Sequence, residues 1–368
     1  MPTADQMLGT STVEALARMI TLVTPQQPAE HLNAVPAALD GQPMRARVDL
    51  VSHALLKDLG PDRLVATIRE AATAHPQDFS GWMIWPVTEA VAHNAVATGS
   101  ERTFQEALDV LAEFTHRFTA EFALRILLRQ DHRRVLAAAS EWTQSPDEHV
   151  RRLASEGTRP LLPWGLRVPE LAAEPSATLP ILTALHNDPS EYVRRSVANH
   201  LNDLSRHHPD LVVQTAATWL DRPGSYTART VKHALRTVIK RGHPEALALT
   251  GYPPVVVDVQ GPLLTPPAVQ WGGSLQISAT VHNDDDATPA KLLIDYVVHH
   301  RKANGTTTPK TFKWTTMELA PGETVELTRR HSFREITTRK YHAGMHSVAL
   351  QINGVEHPAV DFELLPRN

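Results

Sequence analysis

The chain has 368 residues, no cysteine and a formal net charge of −4 at pH 7. A chain of this length is too long to fold around one small hydrophobic core, so we expect either two domains or a solenoid with an added module. The absence of cysteine excludes a disulfide-based scaffold and any thiolate metal site, and it is typical of a reducing cytoplasm. The sequence holds no signal peptide and no run of about 18 uncharged apolar residues, so we expect a cytoplasmic protein that does not enter a membrane.

Charge is distributed unevenly along the chain. Residues 1–115 carry a net charge of −7 and residues 244–368 one of −2, whereas residues 116–243 carry +5. A basic segment attracts polyanions, so the central segment is where we expect a polyanionic partner to bind. The 20 histidines contain no HExxH motif and no other clear ligand pairing, and we expect neither a bound metal nor a cofactor.

The sequence from Thr12 to about Gly251 has the pattern of short helices. Apolar residues recur at spacings of three and four, and proline or glycine interrupts them every 15 to 25 residues, which is typical of helix, turn, helix. One stretch, 158–169, holds three prolines and is therefore unlike a helix. We expect Trp164 to lie on an ordered loop there.

Within this helical part, two stretches are near copies at an offset of 43 residues: SPDEHVRRLA from Ser145 and DPSEYVRRSV from Asp188. A period of about 40 to 47 residues is typical of solenoids built from helix pairs. Stacked repeats would bring the arginine pairs Arg151/Arg152 and Arg194/Arg195 into one exposed row. A weaker third copy has Val231-Lys232-His233 in place of Val-Arg-Arg.

Beyond the segment 251–254 the apolar period changes to two. About seven strand-like runs follow, near residues 255–260, 274–283, 291–300, 310–315, 323–331, 345–352 and 359–365. Turn signals such as Asn304-Gly305 and Asn353-Gly354 separate most of them, which favours an immunoglobulin-like β-sandwich. The predicted fold is therefore mainly α, a helical-repeat solenoid over residues 1–251 followed by an all-β sandwich over residues 254–368.

Three of the carboxylates in the basic segment are set among its arginines: Glu121 near the start of a helical run, and Glu156 and Asp203 on the helices of the two copies. On one helix Arg195, Asn199 and Asp203 are four apart and share a face, and Arg152 and Glu156 share the matching face one repeat earlier. Acids weaken a surface that only holds phosphates, so they suggest catalysis. The competing interpretations assign these residues structural roles. Arg152 and Glu156 would be an ordinary helix pair, Glu121 would only suit the positive end of its helix, and Trp164 would be buried in the core.

Several motifs then resemble those of the AlkC-type DNA alkylation repair family. They are WMIWPVTE from Trp82, FTAEFALR from Phe118, HVRRLASEGTRP from His149, LPW from Leu162, YVRRSVAN from Tyr192, LND from Leu201 and HALR from His233. The resemblance covers about residues 80–250 and, more loosely, the sandwich that only some members carry. His200 departs from the asparagine expected there.

This resemblance implies HEAT-like repeats curved around duplex DNA and a glycosylase that removes cationic N3-methylated bases, mainly 3-methyladenine and 3-methylcytosine, without full base flipping. It carries catalytic roles onto Glu121, Glu156, Trp164 and Asp203. With the basic segment it predicts an enzyme that acts as a monomer on alkylated double-stranded DNA in the bacterial nucleoid. The predicted DNA contacts are Arg151, Arg152, Arg159, Arg194, Arg195, Lys232, His233, Arg236 and Lys240; within the sandwich Arg329, Arg330, His331, Arg339 and Lys340 are further candidates.

Two other functions stay open from the sequence. A HEAT-like module could hold nucleic acid without catalysis, or it could bind only proteins. For the glycosylase, the chemistry explains the acids. An N3-alkylated base already carries positive charge and leaves without protonation. The carboxylates would instead stabilise the positive charge that develops on the sugar and orient or deprotonate the attacking water.

Overall fold

The computed structural model describes residues 3–27, 29–337 and 339–367. The chain divides into two compact units, Met1–Ala234 and Leu235–Asn368. The predicted boundary at 251–254 marks the change of secondary structure, which lies between Leu249 and Val257. The compact units divide earlier in the chain, so that two short helices belong with the strands.

The first unit is built from helices, most of them of 15 residues or fewer; the longest, Met44–Ala74, has 31 residues and is kinked at Gly60, where φ is 66° and ψ is 168°. Most of the helices bury one apolar face, as the three- and four-residue spacing predicts, whereas residues 84–92 and 121–128 are buried throughout. The helices are α1 (Ala4–Met7), α2 (Thr10–Val23), α3 (Glu30–Ala34), α4 (Met44–Ala74), α5 (Ile84–Thr98), α6 (Glu101–Phe114), α7 (Glu121–Gln130), α8 (His132–Trp142), α9 (Glu148–Glu156), α10 (Pro169–Ala173), α11 (Leu179–Leu185), α12 (Glu191–Leu204), α13 (Pro209–Asp221) and α14 (Thr227–Ala234).

The two sequence copies form equivalent helices. Helices α9 and α12 start after the matching prolines Pro146 and Pro189, and the apolar anchors Val150 and Val193 are both buried. Helix α12 packs against α9 on one side and against α14 on the other. These helices therefore stack in chain order, as the helical-repeat prediction requires.

The second unit begins with helices α15 (Arg236–Lys240) and α16 (Pro244–Leu249) and continues as two β-sheets. The strands are β1 (Val257–Thr265), β2 (Ala268–Val269), β3 (Ser274–Asn283), β4 (Ala290–Arg301), β5 (Thr307–Leu319), β6 (Thr324–Ser332), β7 (Gly344–Ile352), β8 (Val355–Glu356) and β9 (Val360–Leu364). Seven of them match the predicted runs. Strands β2 and β8 have two residues each and carry no alternation that a sequence pattern can show.

One sheet has the strand order β1-β3-β6, and the other has the order β2-β9-β7-β4-β5 with β8 paired to β7. Strand β3 shows why the alternating sequence forms a sandwich: Leu275, Ile277, Ala279 and Val281 are buried, while the residues that alternate with them are more exposed. These side chains join the core of the unit with Leu292 and Leu350 of the opposite sheet. The prediction of an all-α repeat domain followed by an immunoglobulin-like sandwich is confirmed.

No helix within the described residues is long and apolar enough to span a lipid bilayer.

Candidate active site

The three acids singled out by the sequence lie on three different helices of the first unit. Glu121 is the first residue of α7, Glu156 the last residue of α9, and Asp203 lies in the last turn of α12. All three are buried, with 7%, 6% and 6% of their surfaces exposed. Burial of a carboxylate is costly unless it is paired or hydrogen-bonded, so their partners decide what this group of residues can do.

Two arginines connect the three acids. Arg152 Nη1 donates to Glu121 Oε2 at 2.6 Å, and its Nη2 lies 3.7 Å from Glu156 Oε1. Arg159 Nη1 donates to the same Glu156 oxygen at 2.5 Å, and Arg159 Nε donates to Asp203 Oδ2 at 2.9 Å. We name these five residues the carboxylate row. Acids and guanidinium groups alternate along it, and its formal charge is −1.

Local structure accounts for this order. Arg152 and Glu156 are four apart on α9 and therefore share a face, while Arg159 follows three residues later, just beyond the end of the helix. The hydroxyl of Thr119 lies 2.7 Å from Glu121 Oε2 and 3.0 Å from Arg152 Nη1. The repeat stacking brings Asp203 of α12 to the other side of Arg159.

Glu121 has an altered acidity. Burial raises the pKa of its carboxyl above the ordinary value, and the nearby Glu156 acts in the same direction, while the Arg152 guanidinium opposes both. The group is therefore a carboxylate held in a low-dielectric site, where its interaction with a developing positive charge is stronger than in water.

Trp164 lies on the loop 157–168 between α9 and α10, as the three prolines predicted. We name this segment the Trp164 loop. The backbone of Trp164 has φ of 62°, in the left-handed region that few residues other than glycine adopt, and 62% of the residue is exposed. An exposed tryptophan in a strained conformation is unlike a core residue, so the interpretation of Trp164 as core is wrong.

One buried residue, Arg125 of α7, holds this loop from beneath. Its Nε donates to the Leu166 carbonyl at 2.8 Å, and its Nη1 donates to the carbonyls of Gly157 and Arg159 at 3.1 and 2.8 Å. Arg125 is fully buried, and burial lowers the pKa of its guanidinium to about 10. Sequence reasoning assigned Arg125 no role. The available signal was a charged residue within the apolar run 122–128.

Aromatic side chains pack behind the Trp164 ring. Trp85 of α5 has its ring centroid 6.5 Å from that of Trp164, with an angle of 11° between the planes. Trp85 also stacks on Phe122, which follows Glu121 in the chain, at 4.1 Å and 22°. The aromatic group therefore connects the Trp164 loop with the helix that begins at Glu121.

Comparison with known proteins identifies the family. The family described as "DNA alkylation repair enzyme" matches residues 85–237, and the C-terminal Ig-like domain of the uncharacterised protein YhaZ matches residues 258–366. Uncharacterized protein YhaZ of Bacillus subtilis (strain 168) is 40% identical over 262 residues, which are 71% of this chain and 72% of that protein. A solved structure of the Pseudomonas fluorescens alkylpurine DNA glycosylase AlkC, bound to DNA containing an abasic site analog, has a TM-score of 0.81 and 33% identity over 99% of this chain and 100% of that chain. The chain belongs to the AlkC-type DNA alkylation repair family.

In this AlkC-type chain the paired arginines of the repeat have different environments. Arg151 Nη1 donates to both carbonyls of the turn 145–146 at 2.9 and 3.0 Å, and Arg194 Nη1 donates to both carbonyls of the turn 188–189 at 2.5 and 2.9 Å. Arg194 is only 6% exposed. The expectation of four arginines in one exposed row is therefore wrong, because the first arginine of each pair closes the turn ahead of its own helix.

The other predicted DNA contacts have three kinds of position. Arg152 and Arg159 belong to the carboxylate row. His233 and Arg236 are partly buried, and the side chains of Arg195, Lys232 and Lys240 are exposed. Contact of any of these residues with DNA stays a prediction.

His200, where the AlkC-type motif led us to expect asparagine, is fully buried beside the carboxylate row. Its Nδ1 donates to the Ser155 carbonyl at 2.9 Å, and burial lowers the pKa of its imidazole to about 3. His200 is therefore neutral at physiological pH and adds no charge to the site. Within the described ranges, no group of three or more His, Asp or Glu residues lies close enough together to hold a metal ion.

Proposed function

We propose that this AlkC-type chain is a monofunctional DNA glycosylase, which hydrolyses the N-glycosidic bond of cationic N3-alkylated bases in duplex DNA. The observation that carries the proposal is the carboxylate row, in which three buried acids and two arginines form one ion-paired chain. An exposed tryptophan lies on the loop that follows Glu156. The substrate is 3-methyladenine or 3-methylcytosine in double-stranded DNA, and no cofactor takes part.

The chemistry of the substrate explains the need for acids. A base alkylated at N3 is already a cation and departs as a neutral molecule, so no general acid is required. As the bond to the base breaks, positive charge develops on the deoxyribose, much as in glycoside hydrolysis. A buried row with a formal charge of −1 stabilises that charge more in the transition state than in the ground state.

The two arginines prepare the acids for this task. They pair with the three carboxylates and fix them in a buried place, where an unpaired charge is costly. The short contacts of Glu121 and Asp203 are made through one oxygen each, Oε2 and Oδ2 respectively. We assign to the second oxygen of one of these carboxylates the orientation and deprotonation of the water that attacks C1′.

Trp164 is placed to meet the lesion. Its ring is exposed, and an aromatic face attracts a cation by about 0.5–2 kcal/mol, depending on how much water is excluded. Enzymes that flip a base enclose it in a deep pocket. A stack of helices offers a surface instead, and we infer that the lesion is processed without full flipping.

Duplex DNA is the partner that the basic segment fits. Our candidates for phosphate contacts are exposed Arg195 and Lys232 and partly buried His233 in the first unit, and exposed Lys240 and partly buried Arg236 in the second. Arg151 and Arg194 close the turns ahead of α9 and α12. The support from a relative is that the AlkC of Pseudomonas fluorescens, 33% identical over 99% of this chain, is described as bound to abasic DNA. We propose action as a monomer on chromosomal DNA.

The test is an assay for the product. Purified protein is incubated with duplexes that carry 3-methyladenine, 3-methylcytosine or 7-methylguanine, and the free base and the abasic site are both quantified. We expect release of the N3-methylated bases and an equal amount of abasic sites. Tight binding with a steep salt dependence but no release from any duplex would contradict the proposal and indicate a non-catalytic module that holds nucleic acid. Binding of proteins alone would indicate a protein scaffold.

A further inference from the structure

The ring of Trp164 is supported by a second tryptophan that the proposed mechanism does not use. Trp85 is only 2% exposed, whereas Trp164 is 62% exposed. The two indole planes are nearly parallel, at 11°, with centroids 6.5 Å apart. Since Trp85 is buried, no open slot for a base lies between the rings, and the pair is an offset stack with one face towards solvent.

Trp85 itself is held on more than one side. Phe122 stacks on it at 4.1 Å, and its indole Nε1 donates to Glu89 Oε1 at 2.6 Å. Stacking alone lets a ring slide and rotate within its plane. A hydrogen bond from the indole edge to a carboxylate removes that freedom, since such charge-assisted bonds are short and directional.

The acceptor of this hydrogen bond is also fixed. Glu89 is 1% exposed, and Arg45 of α4 binds it with both terminal nitrogens, Nη1 donating to Oε1 at 2.7 Å and Nη2 to Oε2. Arg45 also pairs with Asp49 one turn later on α4. Arg45 lies outside residues 85–237, which match the family description. The N-terminal part of the chain therefore contributes to the support of Trp164.

We infer that Trp85 is a positioning residue for base release, which holds Trp164 at a fixed angle so that its exposed face can meet a cationic base. Glu89 and Arg45 fix Trp85 in turn. This inference rests on the proposed function, because Trp164 must contact the lesion for its angle to matter. A tryptophan that only fills the core would affect stability and leave the angle of Trp164 without consequence.

A double-mutant cycle tests the coupling. Trp85→Leu and Trp85→Phe are made in the wild-type chain and in Trp164→Ala, and single-turnover release of 3-methyladenine is measured at saturating enzyme. We expect a loss of about 2- to 10-fold for Trp85→Leu, the range that one aromatic pair supports, and about twofold for Trp85→Phe, which keeps the stack. In Trp164→Ala, Trp85→Leu should cause no further loss. Equal losses in both backgrounds would overturn the inference.

A matched control separates this effect from general loss of packing. Trp219 of α13 is 3% exposed and stacks on His186, well removed in the chain from the Trp164 loop. Trp219→Leu removes a comparable buried ring from the same unit. We expect it to lower the melting temperature while the release rate stays within twofold of wild type. A rate loss equal to that of Trp85→Leu would also overturn the inference.

A second measurement does not depend on activity. The protein is labelled with 5-fluorotryptophan, and the fluorine resonance of Trp164 is assigned by its disappearance in Trp164→Ala. We expect Trp85→Leu to shift this resonance and narrow it, because the ring current and the restraint of Trp85 are both lost. An unchanged resonance in Trp85→Leu would contradict the inference even if base were released. A shifted resonance with no release by the wild type would instead count against the proposed function.

Discussion

Arg159 Nε donates to Asp203 Oδ2 at 2.9 Å, across a separation of 44 positions in the sequence. The same guanidinium binds Glu156 at 2.5 Å, so one side chain joins acids from two successive repeats. Both partners are buried, and the three groups neutralise one another only in part. The stacking of α9 on α12 is thus tied directly to the geometry of the candidate active site.

Removal of the Arg159 charge should destabilise the first unit. Arg159→Met leaves Glu156 and Asp203 buried without this guanidinium, and breaking a buried ion pair from one side costs about 3–5 kcal/mol. We expect a loss of that size in the free energy of unfolding, measured by chemical denaturation. Arg229→Met breaks the exposed pair with Glu191 and should cost less than about 1 kcal/mol. Similar losses for both variants would contradict this assignment.

Arg125 should control the order of the Trp164 loop. Arg125→Met removes the donors to three loop carbonyls, each of which is costly to leave buried without a partner. We expect faster amide hydrogen exchange in residues 157–166, followed by mass spectrometry. Arg134→Met, which removes a donor to the Glu101 carbonyl on an exposed surface, is the control and should leave this exchange unchanged. Unchanged protection in Arg125→Met would exclude the role in holding the loop.

As the pH is lowered, the rate of base release should begin to fall at a higher pH than it would if the reaction depended on an ordinary glutamate. Glu121 acts as a carboxylate, and burial raises its pKa above the usual 4.5, so protonation begins earlier as the pH falls. We expect the midpoint of the acid limb of the single-turnover rate to lie above 4.5 and the limb to vanish in Glu121→Gln. The exposed Glu191→Gln should retain it. A midpoint at or below 4.5 in the wild type would count against the role of Glu121.

Acid should also destabilise the sandwich through its buried histidines. Burial lowers the pKa of His300 to about 3 and that of His331 to about 4, and the positive charge of Arg339 acts in the same direction. Because these values lie below the unfolded value of 6.5, the stability is complete above pH 6.5 and is lost as the pH falls towards the folded values. At pH 5 this amounts to about 2 kcal/mol for each residue.

Asp295 opposes this trend in part, since burial raises its pKa to about 6 and its protonation below that pH relieves the cost of a buried charge.

The test of the histidine effect is the free energy of unfolding, measured between pH 7 and 5. Both ring nitrogens of His300 are buried without a hydrogen-bond partner in the described part of the chain, so His300→Leu should flatten the pH dependence. His282→Gln, whose side chain is 39% exposed, should leave it intact. An unchanged slope in His300→Leu would contradict the account.

Much of the fold follows from periodicity. The alternation in residues 274–283 predicted β3 to the residue, and the two sequence copies predicted equivalent helices, because burial of one face leaves a direct trace in the sequence. The acids were also found from sequence, since Glu156 and Asp203 share helix faces with arginines and all three acids lie in motifs of the AlkC-type family. Their joining into one row by Arg152 and Arg159 is a result of stacking, which no spacing within a single helix reports.

Other features left no comparable trace. Paired arginines at a repeat offset suit phosphate binding and turn closure equally well, and only the carbonyls around Arg151 and Arg194 distinguish the two. Trp85 and Trp164 are far apart in the chain, so their parallel stack depends on how α5 and the Trp164 loop pack. Arg125 was visible as a charge in an apolar run, but its three carbonyl partners belong to a loop whose path the sequence does not determine.

Single-turnover release of 3-methyladenine by Glu121→Gln and Asp203→Asn is the most direct test of the claim that buried carboxylates drive the reaction. Each substitution keeps size and hydrogen bonding while it removes one negative charge. We expect each to slow release by about 100-fold or more, comparable to the loss of one preorganised electrostatic group in other enzymes. The matched Glu191→Gln, on the same helix as Asp203 but exposed, should retain the wild-type rate. Wild-type rates in both Glu121→Gln and Asp203→Asn would contradict the mechanism.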